Sequence, residues 1–181
     1  MDVEPAPGGV VQSIIAAEVG YQELALRYFH SSLYVDLADL HGNTSDGVHV
    51  ASTGGVWNAL AYGFGGMRDY NGDITFDPRL PESWESLVFR VTLRGTRVRV
   101  HVTRDAIRFT VEDGEAARMA VRDHHFTVST TSPVTVPLSG QGPRMLGMPV
   151  LVDGHDGRDD PSRTGFLPAV VQRSVGRVPA R

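Results

Sequence analysis

The sequence predicts an α+β chain in which helices come first and strands follow. Three observations carry this. Apolar residues recur at helical spacing from Val10 to Val35, and again from Val48 to Phe64. Glycines at positions 63, 65 and 66 then close the helical part. From Leu87 onward apolar and polar residues alternate, the period of a half-buried strand.

Composition narrows the class. A chain of 181 residues is long enough for one or two domains with a core. Its 41% hydrophobic and 21% charged content is ordinary for a soluble globular protein. A net charge of −4 offers no basic surface to nucleic acid. Without cysteine there is no disulfide and no thiolate metal site. All 17 basic residues are arginine, which excludes lysine Schiff-base chemistry within the chain. The longest apolar run is far short of a membrane span, and no basic stretch precedes an apolar one at the N-terminus. No signal peptide, no membrane partner and a cytoplasmic location are therefore expected.

Residues 1–9 hold two prolines and two glycines and are expected to be disordered. The first helical stretch has an apolar stripe of Ile14, Ile15, Val19, Leu24, Tyr28 and Leu33, with Gly20 as a break between two segments. A loop follows at His41–Thr44. Thr44 or Ser45 caps the next helix, which runs to about Phe64 with Gly54 and Gly55 inside it. Each glycine costs about 1 kcal/mol against alanine in a helix interior. The pair therefore signals close approach of a backbone or ligand, or a break. Strands are expected at Leu87–Leu93, Val98–Val102, Ile107–Val111, Met119–Val121, Phe126–Val128 and Val134–Leu138, as an antiparallel sheet or sandwich. Arginines at alternate positions belong to its solvated face. Residues 139–181 lose periodicity: one more strand at Met148–Val152 and a mobile tail are expected. Two long antiparallel helices make a poor domain alone, because their apolar faces want more helices. The order suggests part of a larger helical assembly, or a chain completed by association.

The polar, glycine-rich run from Asp36 to Trp57 (DLADLHGNTSDGVHVASTGGVW) stands out in this apolar context. His49 and Ser52 are three apart and share a helix face near its N-terminus. Imidazole N–H, serine hydroxyl and free backbone N–H groups there can all donate to an anion. The alternative is that His49 and Ser52 satisfy each other in a buried turn. Asp36, Asp39 and Asp46 read as helix-end charges and a cap; Asp36 and Asp39 are one turn apart, but neither joins a histidine at metal-ligand spacing. His124 and His125 would point to opposite sheet faces, against a shared metal. No metal site is expected. Trp57 and Trp84 can stack on a sugar, though single tryptophans more often serve a core.

Three segments in order, QSIIAAEVG from Gln12, the Asp36–Trp57 run, and FGGMRD from Phe64 with FDPRLPESW from Phe76, resemble the C-terminal part of glycoside hydrolase family 65. The resemblance covers about residues 10–138. It implies the last helices of an (α/α)6 barrel at 10–66 and a small antiparallel β-sandwich within 67–138, after a connector. The family contains maltose, trehalose, kojibiose and nigerose phosphorylases and some α-glucoside hydrolases. In it one glutamic acid protonates the leaving oxygen while phosphate, or water in the hydrolases, attacks from the opposite face. The resemblance places His49, Ser52, Gly54 and Gly55 at the phosphate and Gln12 at the substrate. It assigns no catalytic residue here, because the general-acid glutamate lies upstream of the matched region and Glu18 and Glu23 do not match it. The segment Pro5–Gly9 also departs from the family pattern. The expected substrates are an α-linked glucose disaccharide with inorganic phosphate as co-substrate and no other cofactor. A partner chain would supply the rest of the barrel. His49 with Ser52 leans toward a phosphorylase. The alternative is a non-catalytic carbohydrate-binding or structural module.

Overall fold

The computed structural model describes residues 9–38, 45, 47, 50–146 and 149. Those up to Leu146 form one compact unit. Three α-helices come first: α1 (Gly9–Val19), α2 (Gln22–Leu37) and α3 (Val50–Asn58). A π-helical turn, Ala59–Phe64, continues α3. Eight strands follow: β1 (Met67–Tyr70), β2 (Asp73–Phe76), β3 (Ser86–Leu93), β4 (Thr96–Thr103), β5 (Ala106–Asp113), β6 (Ala116–Val121), β7 (His124–Ser129) and β8 (Val134–Pro137). The fold is α+β, as expected. The helices form a packed layer; a barrel is not shown by them.

Gly20 ends α1 as the spacing predicts. Its φ of 110° is open to glycine and costly for other residues. The turn reverses the chain, so α1 and α2 pack antiparallel: Gly9 lies against Ser32, and the Ser13 hydroxyl donates to the Ala25 carbonyl at 2.8 Å. Their interface is built of small side chains. Ser13, Ala16 and Ala17 are the buried residues of α1. The expected apolar stripe is corrected here. Ile15 is 54% exposed and Val19 45%, together with Val11 at 58%. Small residues let two helices approach closely; Val11, Ile15 and Val19 then face outward, while Val10 and Ile14 pack against the core.

The second helical region also differs from expectation. Gly47 has a φ of 121°, outside the helical region, so no helix runs unbroken from Ser45; α3 starts at Val50. It is not broken at the glycine pair. A Cβ on Gly55 would come 2.7 Å from Val10, whereas one on Gly54 would meet nothing within 4 Å. Close approach to α1 explains Gly55 alone. The π turn ends where the Gly65 amide bonds the Leu60 carbonyl at 2.8 Å. Gly66 then turns with a φ of 62°, and a Cβ there would collide with the Asp77 backbone.

The strands make two four-stranded sheets, β1-β2-β6-β7 and β3-β4-β5-β8. All neighbours are antiparallel except β2 and β6, which pair parallel through Thr75–Ala120 and Phe76–Val121. The expected all-antiparallel sandwich is corrected at that pair. Hairpin β1–β2, with Asn71-Gly72 at its tip, was also not expected from the alternation. Between the sheets, Phe109 packs against Phe76 and Phe126, each with ring centroids 5.1 Å apart. Val98, Val100, Val102, Ile107 and Val128 are fully buried around them. Arg90, Arg97, Arg99, Arg108 and Arg118 stand on the exposed positions, as expected of a solvated face.

An aromatic cluster joins helices to sheets. Phe29 of α2, Phe64 of the π turn and Trp84 lie with centroids 4.8–5.6 Å apart. Gln22 adds side-chain amide bonds to the Arg79 and Leu80 carbonyls. The stretch 139–146 is not the loose start of a tail. Arg79 donates to the Gly140 and Gly142 carbonyls, and Arg122 to that of Ser139. Gln141 bonds both the Leu80 amide and the Thr103 carbonyl, and the Met145 amide reaches the Gly20 carbonyl at 3.1 Å. These partners are distant in sequence, which hides them from local periodicity. Of Met148–Val152, only Pro149 is among the described residues.

Candidate functional site

The N-terminal end of α3 is the candidate anion site, and the structure frames part of it. The first four N–H groups of a helix have no intrahelical acceptor, and the backbone dipole favours negative charge there. Helix α3 begins at Val50, which is 76% exposed, so this end opens to solvent. His49 lies outside the described residues, immediately before that first residue. Ser52 is the third residue of α3; its side chain is outside the described set. Asp39, His41, Thr44 and Asp46 are outside it as well, as is the side chain of Asp36.

Two glycines follow with opposite surroundings. Gly54 is exposed, with free space where a side chain would stand. Gly55 faces the helix layer through Val10. Gly54 can therefore let a ligand come close to the backbone, while Gly55 serves packing.

Gln12 sits on α1, two residues after Val10 and hence about 200° around the helix from it. It is half-buried, and its Oε1 is buried with no donor among the described residues. A buried acceptor without a donor is costly, so such an atom marks a place where a hydroxyl or water belongs. The sequence motif singled out Gln12, but not this property.

The aromatic residues divide. Trp84 belongs to the core cluster with Phe29 and Phe64. Trp57 is 39% exposed and meets Tyr62 edge-on, with centroids 6.4 Å apart. Glu18 is exposed and paired with Arg68 at 3.2 Å. His124 and His125 are both exposed on β7. No group of three or more potential metal-ligating residues occurs among the described residues.

Elsewhere two concave regions open. One, of about 280 Å³, lies where α1, the glycine link and the first sheet meet. The other, of about 420 Å³, runs along the edge of the sandwich past Asp69, Asp73, Arg94 and Arg118, with no aromatic side chain in its lining. No described helix is long and apolar enough to cross a membrane.

Comparison with known proteins bears on this arrangement directly. Residues 6–58 match the glycosyl hydrolase family 65 central catalytic domain. Residues 67–128 match the family 65 C-terminal domain. An uncharacterized glycosyl hydrolase of Mycobacterium leprae is 40% identical over 134 residues, 73% of this chain and 17% of the relative. The α,α-trehalose phosphorylase of Thermoanaerobacter brockii is 42% identical over 57% of this chain and 13% of its own length. The kojibiose phosphorylase of the same organism is 38% identical over 55% of this chain and 13% of its length. A solved structure described as a candidate kojibiose phosphorylase from the human microbiome superposes with a TM-score of 0.64. It is 24% identical, and the match covers 72% of this chain and 18% of that one. The chain thus spans 13–17% of the length of these curated relatives.

Proposed function

With the chain identified as glycosyl hydrolase family 65 sequence, part of the central catalytic domain followed by the C-terminal domain, we propose that it forms one wall of an inverting α-glucoside phosphorylase site. The observation that carries this is the consecutive match of both domains, with trehalose and kojibiose phosphorylases among the relatives. In this reading phosphate sits at the N-terminal end of α3. His49 and Ser52 donate to it, the first-turn amides and the helix dipole stabilise its charge, and Gly54 leaves room for its approach. Gln12 accepts a hydrogen bond from a sugar hydroxyl, which would satisfy its otherwise lone Oε1. The sugar is one half of an α-linked glucose disaccharide. Phosphate attacks the anomeric carbon while a general acid protonates the leaving oxygen on the opposite face.

That acid comes from outside this chain in our reading. Partner helices of the catalytic domain bring it and cover Val11, Ile15 and Val19 on α1, apolar side chains that otherwise face water. The 181-residue chain alone then gives no turnover. A carbohydrate-binding module has less support, since the sandwich groove has no aromatic side chain in its lining.

The test is phosphate consumption with trehalose or kojibiose. The chain by itself should be inactive. Mixed with a polypeptide supplying the remaining catalytic domain, it should gain activity that His49→Ala abolishes. Turnover by the isolated chain, or reconstituted activity indifferent to His49→Ala, would overturn the reading.

A further inference from the structure

The cleft of about 280 Å³ at the junction of helices and sandwich carries unbalanced charge. Its lining holds four arginines, Arg68, Arg79, Arg122 and Arg144, against three carboxylates, Glu18, Asp77 and Asp123. Glu18 is matched to Arg68. Asp77 is shared by the other three guanidinium groups. Arg122 Nε donates to its Oδ1 at 3.0 Å, Arg144 bonds its Oδ2, and Arg79 lies 3.9 Å from the same oxygen. Asp77 alone pairs with these three guanidinium groups and cannot neutralise them all; Asp123, also in the lining, forms no ion pair with them among the described residues. The Nε of Arg79 is buried with no acceptor among the described residues.

Donor capacity remains. A guanidinium offers five N–H groups in a fork that fits phosphate oxygens two at a time. Among the described contacts Arg122 donates through Nε and Nη2, and Arg144 through Nη2 alone. Both side chains are partly exposed to the cleft mouth, at 36% and 45%. Crowding of like charge is felt at Arg79. Burial first, then Arg144, lowers its pKa, and Arg122 adds to this against the opposing pull of Asp77.

We propose that this node is an anion site that takes the phosphate group of a small molecule between Arg122, Arg144 and Arg79, in competition with Asp77. It uses none of the residues at the start of α3, and it stands or falls separately from the phosphate contacts placed there. Occupancy has a structural consequence. Arg144 lies in the strap that reaches Gly20, where the Met145 amide bonds the Gly20 carbonyl. An anion held by Arg144 and Arg122 therefore fastens the strap between the helix turn and the sandwich, and stabilises the folded chain by mass action.

The experiment is an amide NMR titration of the full 181-residue chain with inorganic phosphate and, separately, a hexose phosphate, with chloride at matched ionic strength as control. Saturable shifts at Arg79, Arg122, Gly142 and Arg144 are expected, with a rise in Tm. Arg144→Gln and Arg122→Gln should each weaken binding at least fivefold, His49→Ala should not affect it, and Asp77→Asn should tighten it severalfold by removing the competitor. Equal affinity for the two probes would identify the phosphate group alone as the ligand; tighter hexose phosphate would identify the ester. Shifts that track chloride, affinity unchanged in Arg144→Gln, weaker binding in Asp77→Asn, or loss in His49→Ala would overturn the proposal. Should Arg122→Gln unfold by circular dichroism, Arg144→Gln decides, since that side chain is exposed and its backbone contacts do not depend on it.

Discussion

On β4 and β5, Val98, Val100, Val102, Ile107 and Phe109 have no exposed surface, and exposed arginines alternate with them. On α1, Ser13 has no exposed surface while Ile15, two positions on, is 54% exposed. Strands β4 and β5 bury large apolar residues, and α1 buries small ones. The sandwich has both of its sheets present, so every inward side chain has a facing partner and apolar residues fill the gap. Helix α1 buries small residues against α2 and leaves larger ones exposed, while Phe29 of α2 and Phe64 are buried against Trp84. The sandwich fills the space between its own two sheets, whereas α1 leaves Val11, Ile15 and Val19 exposed on a second face.

Truncating the centre of the sandwich should break this contrast most strongly. Phe109→Ala removes a fully buried ring in contact with Phe76 and Phe126 and should cost about 3–5 kcal/mol in urea unfolding. Because Phe29, Phe64 and Trp84 join the layers, the loss should appear in helical and sheet signals together. Separate transitions would show the two regions to be independent.

Gly66→Ala strikes the link between them. It combines a φ of 62° with a Cβ driven into the Asp77 backbone, and a loss of about 1–3 kcal/mol is expected. Next come the paired glycines of α3. Gly54→Ala should raise stability by up to about 1 kcal/mol, because helix propensity improves and nothing is near. Gly55→Ala should fail to do so, because Val10 must move aside. Equal gains from both would mean that α1 and α3 are not packed closely.

Ile15→Ser sharpens the comparison from the other side. At an exposed position the change should stay within about 0.5 kcal/mol, yet hydrophobic-dye binding and self-association of the isolated chain should fall. The smallest effect belongs to the solvated sheet face. The Arg90 hydrogen bond holds the Glu112 carboxyl below the ordinary glutamate range, with Arg90, Arg97 and Arg99 charges adding to it. A depressed folded-state pKa stabilises above the unfolded value, and the contribution is lost as pH falls through the folded one. Glu112→Gln should therefore lower stability slightly at neutral pH, leave it unchanged at low pH, and so flatten the acid limb of the stability curve.

Much of the sandwich was legible. Strands β3 to β5 carry long period-two runs, and their inward residues are those the alternation marks. Strands β1 and β2 are only four residues each and too short for periodicity to register. Their signal was Asn71-Gly72, the dipeptide favoured in two-residue hairpin turns. The parallel pairing of β2 with β6 has no local signature, since it joins residues 45 apart. In the candidate site, the resemblance to family 65 singled out Gly54, Gly55 and Gln12, but could not separate the open glycine from the packed one, nor show that a Gln12 oxygen lacks a donor among the described residues. The arginine node around Asp77 was invisible, because its members sit at 79, 122 and 144.

The helix-then-strand order, the break at Gly20, the inward face of the long strands and the likeness to family 65 can all be read from the residues in order. Those are properties of neighbours along the chain, set by backbone conformational preference and by the period of each element. Only the tertiary structure decided which face of α1 is buried, which glycine of the pair touches a neighbour, and how three distant arginines meet at one carboxylate. An α-helix can turn either a small-residue or a large-residue face toward its partner, and the choice depends on how closely that partner can approach. Charges gather at a junction only after separate elements have packed, so no local pattern of residues carries that information.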